Sequence, residues 1–439
     1  MGILERFMKF TCYTLGCKVN QYETQAMERQ LTALGHTLCP NDDDACDAYI
    51  INTCTVTAVA DRKNRTLIRR LRREHPEAVI GVCGCYAQLN AQDIAALGVD
   101  VVSGSAGREE FVQLLLQKLR DRSGGAEIQV DEALRRRAFE ELPAGGLAAR
   151  TRAMLKVQDG CNNFCTYCII PYARGPVRSL PMERAVEQAR GLAAEGYREI
   201  VVTGIEIASW GWDFRDGSRL PALVRALCEA VPEVRIRLGS LEPRIVDEDF
   251  CRTLSCLKNL CPQFHLSMQS GCDTVLKRMR RKYDTARYLQ SVRLLKEAFP
   301  GCALTTDMIV GFPGETEEEF QQSLEFLPRC GFAHMHIFPY SRREGTPAAA
   351  MPDQVPKQVK AERAAGAAAA AEELRLRYNT AMLGTVAEVL FEQTEDGLFT
   401  GHAPNGVKVY AEGEALHNEL RRVLLRELRK DGVFGVLLP

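Results

Sequence analysis

The sequence predicts an α/β protein in three parts: an N-terminal open parallel α/β domain, a central partial (β/α)6 barrel and a small C-terminal antiparallel β-barrel. Short apolar runs alternate with longer amphipathic segments over most of the chain, which indicates β-α units and parallel strands. After residue 381, short runs separated by Gly and Asn are typical of antiparallel strands. With 439 residues, 46% of them hydrophobic, the chain is long enough to bury the cores of two or three domains.

The first domain is predicted at residues 8–122. Its apolar runs predict strands and its amphipathic segments predict helices, in the order expected of a parallel sheet. The strand candidates are Phe10–Leu15, Ala48–Ile51, Ala78–Val82 and Val99–Val102, and the helix candidates are Gln21–Leu34, Thr57–Glu74 and Arg108–Arg120. Residues 123–150 lack either pattern and contain two Gly-Gly pairs, so they are interpreted as a linker.

Residues 151–380 repeat the β-α pattern six times, which favours a barrel whose chemistry lies at the carboxyl ends of its strands. The strand candidates are Leu155–Val157, Glu199–Thr203, Arg235–Leu238, Phe264–Met268, Leu304–Val310 and His334–Phe338. An alanine-rich helix at 356–380 leads out of this domain. Residues 381–439 then form the small barrel, which is too short to carry a catalytic fold of its own.

Composition limits the cellular setting and the partners. The formal net charge is −1, so any contact with nucleic acid must come from local basic patches. Seventeen cysteines without a secretory segment argue for a reducing compartment and for metal sites, which makes the cytoplasm the expected location. No apolar run reaches the roughly 18 residues of a membrane span.

Three cysteines lie within eight residues of the central domain, in the pattern Cys161-x3-Cys165-x2-Cys168. Thiolates are soft ligands that suit iron–sulfur clusters, and such a short loop can hold three corners of a cubane while leaving the fourth iron open. The pattern resembles the signature of radical S-adenosylmethionine (SAM) enzymes. The alternative is a zinc knuckle or three structural cysteines, although no nearby Cys or His supplies a fourth zinc ligand.

A second set of cysteines lies in the first domain, where Cys17, Cys54 and Cys85 each follow an apolar run. Ligands of open parallel sheets collect outside the carboxyl ends of the strands, so three cysteines in successive β-α turns can converge on one metal site. The alternative is that each is an ordinary buried small residue. Cys83 is read as the end of a strand and is left out of the site.

The motifs LGCKVNQYET (15–24), NTCTVT (52–57) and GCYAQ (84–88), together with the central cysteine pattern and the C-terminal barrel, resemble the methylthiotransferase family of radical SAM enzymes. Within that family they are most similar to the branch that modifies threonylcarbamoyladenosine at tRNA position 37. The tail is similar to a TRAM domain, a small RNA-binding barrel, although residues 381–439 contain nine acidic and six basic side chains.

The resemblance implies two 4Fe-4S clusters. Cys161, Cys165 and Cys168 would hold the cluster that binds SAM, and Cys17, Cys54 and Cys85 would hold an auxiliary cluster that carries the sulfur to be donated. Carbon 2 of adenine is an unactivated C–H position, so the cofactor supplies the radical step and the protein supplies positioning. No general acid or base is assigned.

The resemblance also implies contacts to SAM at the strand ends of the barrel. Because Ser, Asp and Gly also cap helices and form turns, each candidate has a purely structural alternative. The candidates are Thr203, Gly204, Glu206, Ser240, Glu242, Ser267, Gln269 and Asp307.

The expected partners are the tRNA anticodon loop, a flavodoxin-type electron donor and a sulfur donor, with no membrane. Two basic segments, Arg62–Arg73 and Lys277–Lys282, could meet tRNA phosphates or be solvated helix faces. The alternative functions are methylthiolation of isopentenyladenosine-37 or of ribosomal protein S12, and a non-catalytic metal-bearing RNA-binding protein.

Overall fold

The computed structural model describes residues 7–39, 45–145 and 151–439. Its first domain is a six-stranded, fully parallel sheet in the order β2-β1-β3-β4-β5-β6. Its strands are β1 (Lys9–Thr14), β2 (Thr37–Leu38), β3 (Ala48–Thr53), β4 (Val79–Gly84), β5 (Val101–Ser103) and β6 (Glu127–Gln129). Its helices are α1 (Lys18–Ala33), α2 (Ala58–Glu74), α3 (Cys85–Leu89), α4 (Ala91–Ala95) and α5 (Arg108–Arg120).

The segment interpreted as a linker contributes to this sheet. Residues 127–129 form β6, which pairs in parallel with β5, and Ala133–Arg135 form a short 3₁₀ helix. The expectation that 123–150 lacks an element is therefore wrong for its first half. Three residues on a sheet edge are too few to show a periodic pattern, and it is the partner strand that specifies them. Residues 146–150 lie outside the described residues.

The central domain is an arc of parallel strands. One sheet has the order β11-β10-β7 and the other β12-β13-β14-β15, and a parallel bridge between Ile236 and Leu260 joins them. The strands are β7 (Arg152–Lys156), β10 (Glu199–Thr203), β11 (Arg235–Leu238), β12 (Ser240–Leu241), β13 (Gln263–Leu266), β14 (Ala303–Val310) and β15 (His334–Pro339), with the small antiparallel pair β8 (Gln158–Asp159) and β9 (Arg178–Ser179). In the described residues β7 and β15 do not pair, so the barrel is partial.

Helices pack around this arc. They are α6 (Ile170–Arg174), α7 (Met182–Ala194), α8 (Leu220–Ala230), α9 (Glu248–Leu254), α10 (Asp273–Arg278), α11 (Thr285–Ala298), α12 (Glu317–Cys330) and α13 (Lys357–Ala381), with 3₁₀ turns at Ile207–Ser209, Pro243–Ile245 and Pro347–Ala350. On β14, Leu304, Thr306 and Met308 are fully or almost fully buried, and the two apolar ones belong to the main core. The alternate residues of β14 face the inside of the arc, because side chains alternate along a strand.

The C-terminal domain is a closed five-stranded barrel in the order β16-β17-β18-β20-β19. Its strands are β16 (Val386–Glu395), β17 (Leu398–His402), β18 (Lys408–Ala411), β19 (Leu420–Arg429) and β20 (Gly432–Leu437). Four of the pairings are antiparallel, as predicted, and β18–β20 is parallel. No helix in the described residues is long and apolar enough to cross a membrane.

Candidate active site

The first cysteine trio converges at one edge of the first sheet. Cys17 follows β1 and caps α1, Cys54 directly follows β3, and Cys85 directly follows β4. These three strands are neighbours in the sheet, so the turns after them lie side by side. A Cβ atom on Gly16 would lie 3.0 Å from the Cβ of Cys54, which shows how closely the first two turns approach.

The thiols of this trio act on one another. Burial raises the pKa of the Cys54 thiol to about 12, and Cys85 and Cys17 are close enough to add to the rise. The backbone N–H of Val56 donates to the Cys54 sulfur, and this hydrogen bond acts to lower the pKa. Burial also raises the pKa of Cys85. Cys83 lies within β4 and belongs to an apolar core of the first domain.

Polar side chains hold two of these sulfurs. Asn20 accepts from the Cys17 sulfur at 3.3 Å and donates to the Thr53 carbonyl at 2.9 Å. Arg174 Nε donates to the Cys85 sulfur at 3.1 Å. Because Arg174 belongs to α6 of the central domain, one domain supplies a direct contact to a cysteine of the other.

The second trio occupies the loop between β8 and α6. Gly160 opens it with a φ of +74°, and a Cβ atom there would lie 1.9 Å from the carbonyl oxygen of Pro176. The Cys161 N–H donates to Gly175 at 3.0 Å and the Cys168 N–H to Cys165 at 2.9 Å. The first bond ties the start of the loop to the residue that follows α6, and the second closes a turn at the third cysteine.

Burial raises the pKa of Cys161 and of Cys168 to about 12 each. Cys165 adds to the rise at both positions, which places it close to the other two thiols. Arg281 donates to the Cys165 sulfur at 3.1 Å and to the Tyr283 hydroxyl at 2.9 Å. Each trio therefore has one arginine hydrogen bonded to one of its sulfurs.

In the described residues, no group of three or more His, Cys, Asp or Glu side chains is tight enough to hold a single metal ion. A cubane cluster makes a different demand, because each thiolate binds a separate iron atom. Its three ligands therefore stand farther apart than three ligands of one ion.

A network of buried charges joins the two trios. Glu23 on α1 is fully buried and pairs with Lys156 at 3.0 Å, with Arg108 at 3.1 Å and with Arg174. Asp159 next to the second trio pairs with Lys156 at 2.7 Å and with Arg174 at 3.4 Å. Lys156 and Arg174 thus contact a carboxylate from each domain. The pKa of Glu23 is held well below its usual range because the three cations outweigh the effect of burial.

Four of the predicted cofactor residues and one cysteine of the first trio meet in one cavity. It has a volume of about 1350 Å³ and is lined by Thr203, Gly204, Ser240 and Asp307 from the barrel and by Cys17 from the first domain. Its far wall comes from α13 and from the C-terminal barrel. Asp307 lies 3.2 Å from His265 Nε2, so its carboxylate faces a neighbour inside the arc.

Glu206 and Glu242 do not line this cavity but face each other beside Cys161. Burial and then the neighbouring carboxylate of Glu242 raise the pKa of Glu206 to about 7. The carboxylate of Glu206 also acts on the thiol of Cys161. Glu242 accepts from Arg244 Nε at 2.8 Å. Only Glu242 is paired with Arg244, and the two carboxylates together form an acidic pocket next to the second trio.

The last two predicted residues act through the backbone. The Ser267 N–H donates to Leu241 at 3.0 Å, and its carbonyl accepts from the Tyr283 hydroxyl. Gln269 has a φ of +68° and is bridged to β14 through Asp307 and Ile309. Neither side chain lines the large cavity.

Sequence reasoning missed Glu23, Arg174 and Arg281. Arg281 belongs to the segment considered for tRNA contact, where Arg278 is also engaged, pairing with Glu319 at 2.6 Å. The signal for Arg174 was a lone arginine after the apolar stretch at 169–171, close behind the third cysteine. Charged side chains are seldom fully buried unless they are paired, so the sequence alone does not show that Arg174 is buried.

Two family models match the chain. The radical SAM superfamily matches residues 155–327, and a family described as uncharacterized protein family UPF0004 matches residues 9–104. The threonylcarbamoyladenosine tRNA methylthiotransferase MtaB of Bacillus subtilis (strain 168) is 41% identical over 409 residues, which cover 91% of this chain and 90% of the relative. This chain belongs to the methylthiotransferase family.

Other relatives in this family are named for two different nucleosides. MtaB of Chlamydia pneumoniae is 36% identical and is matched over 100% of both chains. A tRNA-2-methylthio-N(6)-dimethylallyladenosine synthase of Acetivibrio thermocellus is 34% identical, covering 92% of this chain and 85% of the relative. The similarity to the threonylcarbamoyladenosine branch of the methylthiotransferases is thereby confirmed.

Solved structures confirm the fold. The radical S-adenosylmethionine methyltransferase TsrM of Kitasatospora setae matches 78% of this chain and 77% of its own, with a TM-score of 0.55 and 18% identity. The radical enzyme OxsB matches 84% of this chain and 56% of its own, with a TM-score of 0.52. The methylthiotransferase described here therefore shares the arrangement of an open α/β domain and a radical SAM barrel.

Proposed function

We propose that this protein is a radical SAM methylthiotransferase that adds a methylthio group to C2 of N6-threonylcarbamoyladenosine at position 37 of tRNA. The observation that carries this function is the cavity in which Cys17 of the first domain meets the strand ends at Thr203, Ser240 and Asp307. A sulfur carrier and a radical source must reach the same carbon atom. Relatives of 36–41% identity that are named for threonylcarbamoyladenosine support the choice of nucleoside.

We infer that the chain holds two 4Fe-4S clusters, one on each cysteine trio. Three thiols fit three corners of a cubane and leave one iron for SAM or for sulfur. Each trio also has a cation hydrogen bonded to a sulfur, which favours the thiolate form that a cluster requires. When bound, the clusters and SAM supply the electron, the radical and the sulfur.

The protein contributes binding and position. Glu206 and Glu242 form an acidic pocket beside Cys161 that suits the ammonium group of SAM, and the elevated pKa of Glu206 fits a buried carboxylate that forms no ion pair of its own within the described residues. Gly204 lets this turn pack closely against β8, since a Cβ atom there would lie 2.8 Å from the Gln158 carbonyl oxygen. Thr203, Ser240 and Asp307 offer polar contacts inside the cavity.

The tRNA would approach on the side of the cavity that α13 and the C-terminal barrel form. Its anticodon loop would then present the adenosine to the interior of the radical SAM barrel. A flavodoxin-type electron donor and a separate sulfur donor stay predictions.

The test separates the two trios. The Cys161→Ala variant should lose about four irons per chain and stop producing 5′-deoxyadenosine from SAM. The Cys54→Ala variant should also lose about four irons, yet retain cleavage of SAM while methylthiolation stops. Cys256→Ala, at an exposed cysteine outside both trios, is the matched control and should keep all three properties.

Iron content after anaerobic reconstitution, 5′-deoxyadenosine release and nucleoside mass spectrometry of the tRNA provide the readouts. If the Cys54 variant still made 2-methylthio-threonylcarbamoyladenosine, the first trio would not carry the sulfur. If the wild type made only the 2-methylthio-isopentenyl nucleoside, the substrate assignment would be wrong.

A further inference from the structure

Lys18 lies at the point where the first domain meets the large cavity. It directly follows Cys17, forms the first residue of α1 and lines the cavity together with Thr203, Gly204 and Ser240. Its side chain is exposed to the cavity and not packed into the core. Its position adjacent to a cysteine of the first trio brings it close to the reacting end of the substrate.

The other charged groups that line this cavity are already paired. Of the three carboxylates, Asp307 faces His265 at 3.2 Å, Glu372 pairs with Arg375, and Asp431 pairs with Lys408 at 3.3 Å. The other cations lie on the far wall and are also engaged, Arg375 with Glu372, Lys408 with Glu395 and Lys430 with Asp396. In the described residues, no carboxylate forms an ion pair with Lys18.

The charged side chains nearest to Lys18 are paired with other groups and not with its ammonium group. The side chains that act on it most strongly are Arg152 and Arg237, which are cations, and then Glu199. Glu199 is occupied by two hydrogen bonds from Arg237, at 2.6 and 3.0 Å. Arg152 is likewise paired, with Glu392, so the ammonium group of Lys18 is the charge that an entering anion would meet, and an unpaired anion entering a partly dry cavity requires such a partner.

The two nucleosides for which relatives in this family are named differ in the charge of the group on N6 of adenine. A threonylcarbamoyl group carries a carboxylate, whereas a dimethylallyl group is a hydrocarbon. We propose that Lys18 binds the carboxylate of the threonylcarbamoyl group and thereby selects this nucleoside. The proposal rests on the proposed function and names the residue that reads its substrate. A lysine suits the role because its ammonium group is a compact charge on a flexible stem.

The test compares ligands as well as variants. Fluorescence anisotropy measures the affinity of the reconstituted enzyme for an anticodon stem-loop that carries threonylcarbamoyladenosine, and for the same RNA with the carboxylate converted to a methyl ester. The wild type should bind the acid about tenfold or more tightly than the ester, as expected for a hydrogen bond between charged groups. Lys18→Met should bind both within about twofold, and Lys18→Arg should restore part of the difference.

Lys296→Met is the matched control, because Lys296 is an exposed lysine on α11 that does not line the cavity. Iron content is measured in every variant, since Lys18 is adjacent to a cysteine of the first trio. Equal binding of acid and ester by the wild type would overturn the proposal without reference to any variant. So would a Lys18→Met enzyme that keeps the preference for the acid.

The two levels of the proposal fail in different ways. If the wild type does not methylthiolate the threonylcarbamoyl RNA at all, the proposed function is wrong. If it does so with equal KM for acid and ester, the function stands and the role of Lys18 is wrong.

Discussion

Arg174 and Arg281 each donate a hydrogen bond to a sulfur of one cysteine trio, and neither interaction is predictable from sequence spacing. The cysteines themselves are predictable, because three lie in one short loop and three follow successive strands. The arginines come from elsewhere in the chain, and their role depends on which trio the fold brings near them. A basic residue in a sequence is otherwise expected at the surface.

Arg174→Gln should weaken the auxiliary site. The change removes the hydrogen bond to Cys85 and leaves Glu23 with two of its three cations, so stability should fall by about 3–5 kcal/mol, as for a broken buried ion pair. In a background lacking Cys161, Cys165 and Cys168, iron per chain should drop below the about four of one cluster. Iron analysis and urea unfolding provide the measurement.

Arg174→Lys distinguishes charge from geometry. Lysine keeps the charge but cannot bond Cys85 and both oxygens of Glu23 at once, so it should restore part of the stability and less of the iron. Arg184→Gln, which removes an exposed pair with Glu141, should change neither. Full iron retention in Arg174→Gln would show that the bond to Cys85 does not support the site.

Gly160 is a second position where one residue determines the site. Gly160→Ala places a Cβ atom 1.9 Å from the Pro176 carbonyl at a φ of +74°, so the loop that carries Cys161 must move. Loss of about four irons and of SAM cleavage is expected, while the iron held by the first trio stays. Gly191→Ala in α7, where an added Cβ meets nothing within 4 Å, should retain full iron content. An unaltered Gly160→Ala enzyme would contradict this reading.

At the scale of elements, most strands and helices were predictable because they are periodic, and the exceptions have physical reasons. Strand β19 reads LRRVLLRELR, a charged and leucine-rich sequence typical of a helix, yet it forms a strand because β16 and β20 pair with both its edges and close the barrel. Strand β6 is likewise specified by its neighbour. Tertiary pairing overrides local propensity in both cases.

Helix α2 is the element best placed to meet RNA phosphates. It starts close behind Cys54, and its first turn is fixed to the central domain by an ion pair of 2.7 Å between Asp61 and Arg343. In the described residues, Arg62, Lys63 and Arg69 form no ion pair. Because the net charge of the chain is −1, RNA must be attracted by local basic patches of this kind.

Replacing Arg62, Lys63 and Arg69 by Gln should therefore make tRNA binding less sensitive to salt. Each phosphate contact contributes about 0.7–0.9 to the slope of log K against log salt, so loss of all three should reduce the slope by about 2. Anisotropy titrations at several salt concentrations measure it. Gln at Arg190, Arg252 and Arg293, exposed cations on outer helices of the barrel, is the charge-matched control. An equal decrease in that control would show that α2 makes no specific contribution.

At the scale of the whole molecule, buried arginines connect the first domain, the central barrel and the C-terminal domain. Arg174 joins the first domain to the barrel, and Arg235 and Arg237 join the barrel to the C-terminal domain. Arg237 donates to the carbonyls of Ala403 and Pro404 while pairing with the fully buried Glu199. The three domains are predictable from the sequence, but these contacts between them are not, because the contacts join residues that lie far apart in the chain.

Arg237→Met should loosen the C-terminal domain and with it one wall of the cavity. Glu199 would keep only Arg235, at 3.8 Å, so the change should destabilise the protein by about 3–5 kcal/mol. Limited proteolysis should then cut at the junction between α13 and β16 faster than in the wild type, and the affinity for tRNA should fall with it. Arg252→Met, at an exposed pair with Asp249, should alter stability by less than about 0.5 kcal/mol. If Arg237→Met left both the cleavage rate and the affinity unchanged, the barrel would hold its C-terminal domain through other contacts, and the cavity wall would not depend on buried charge.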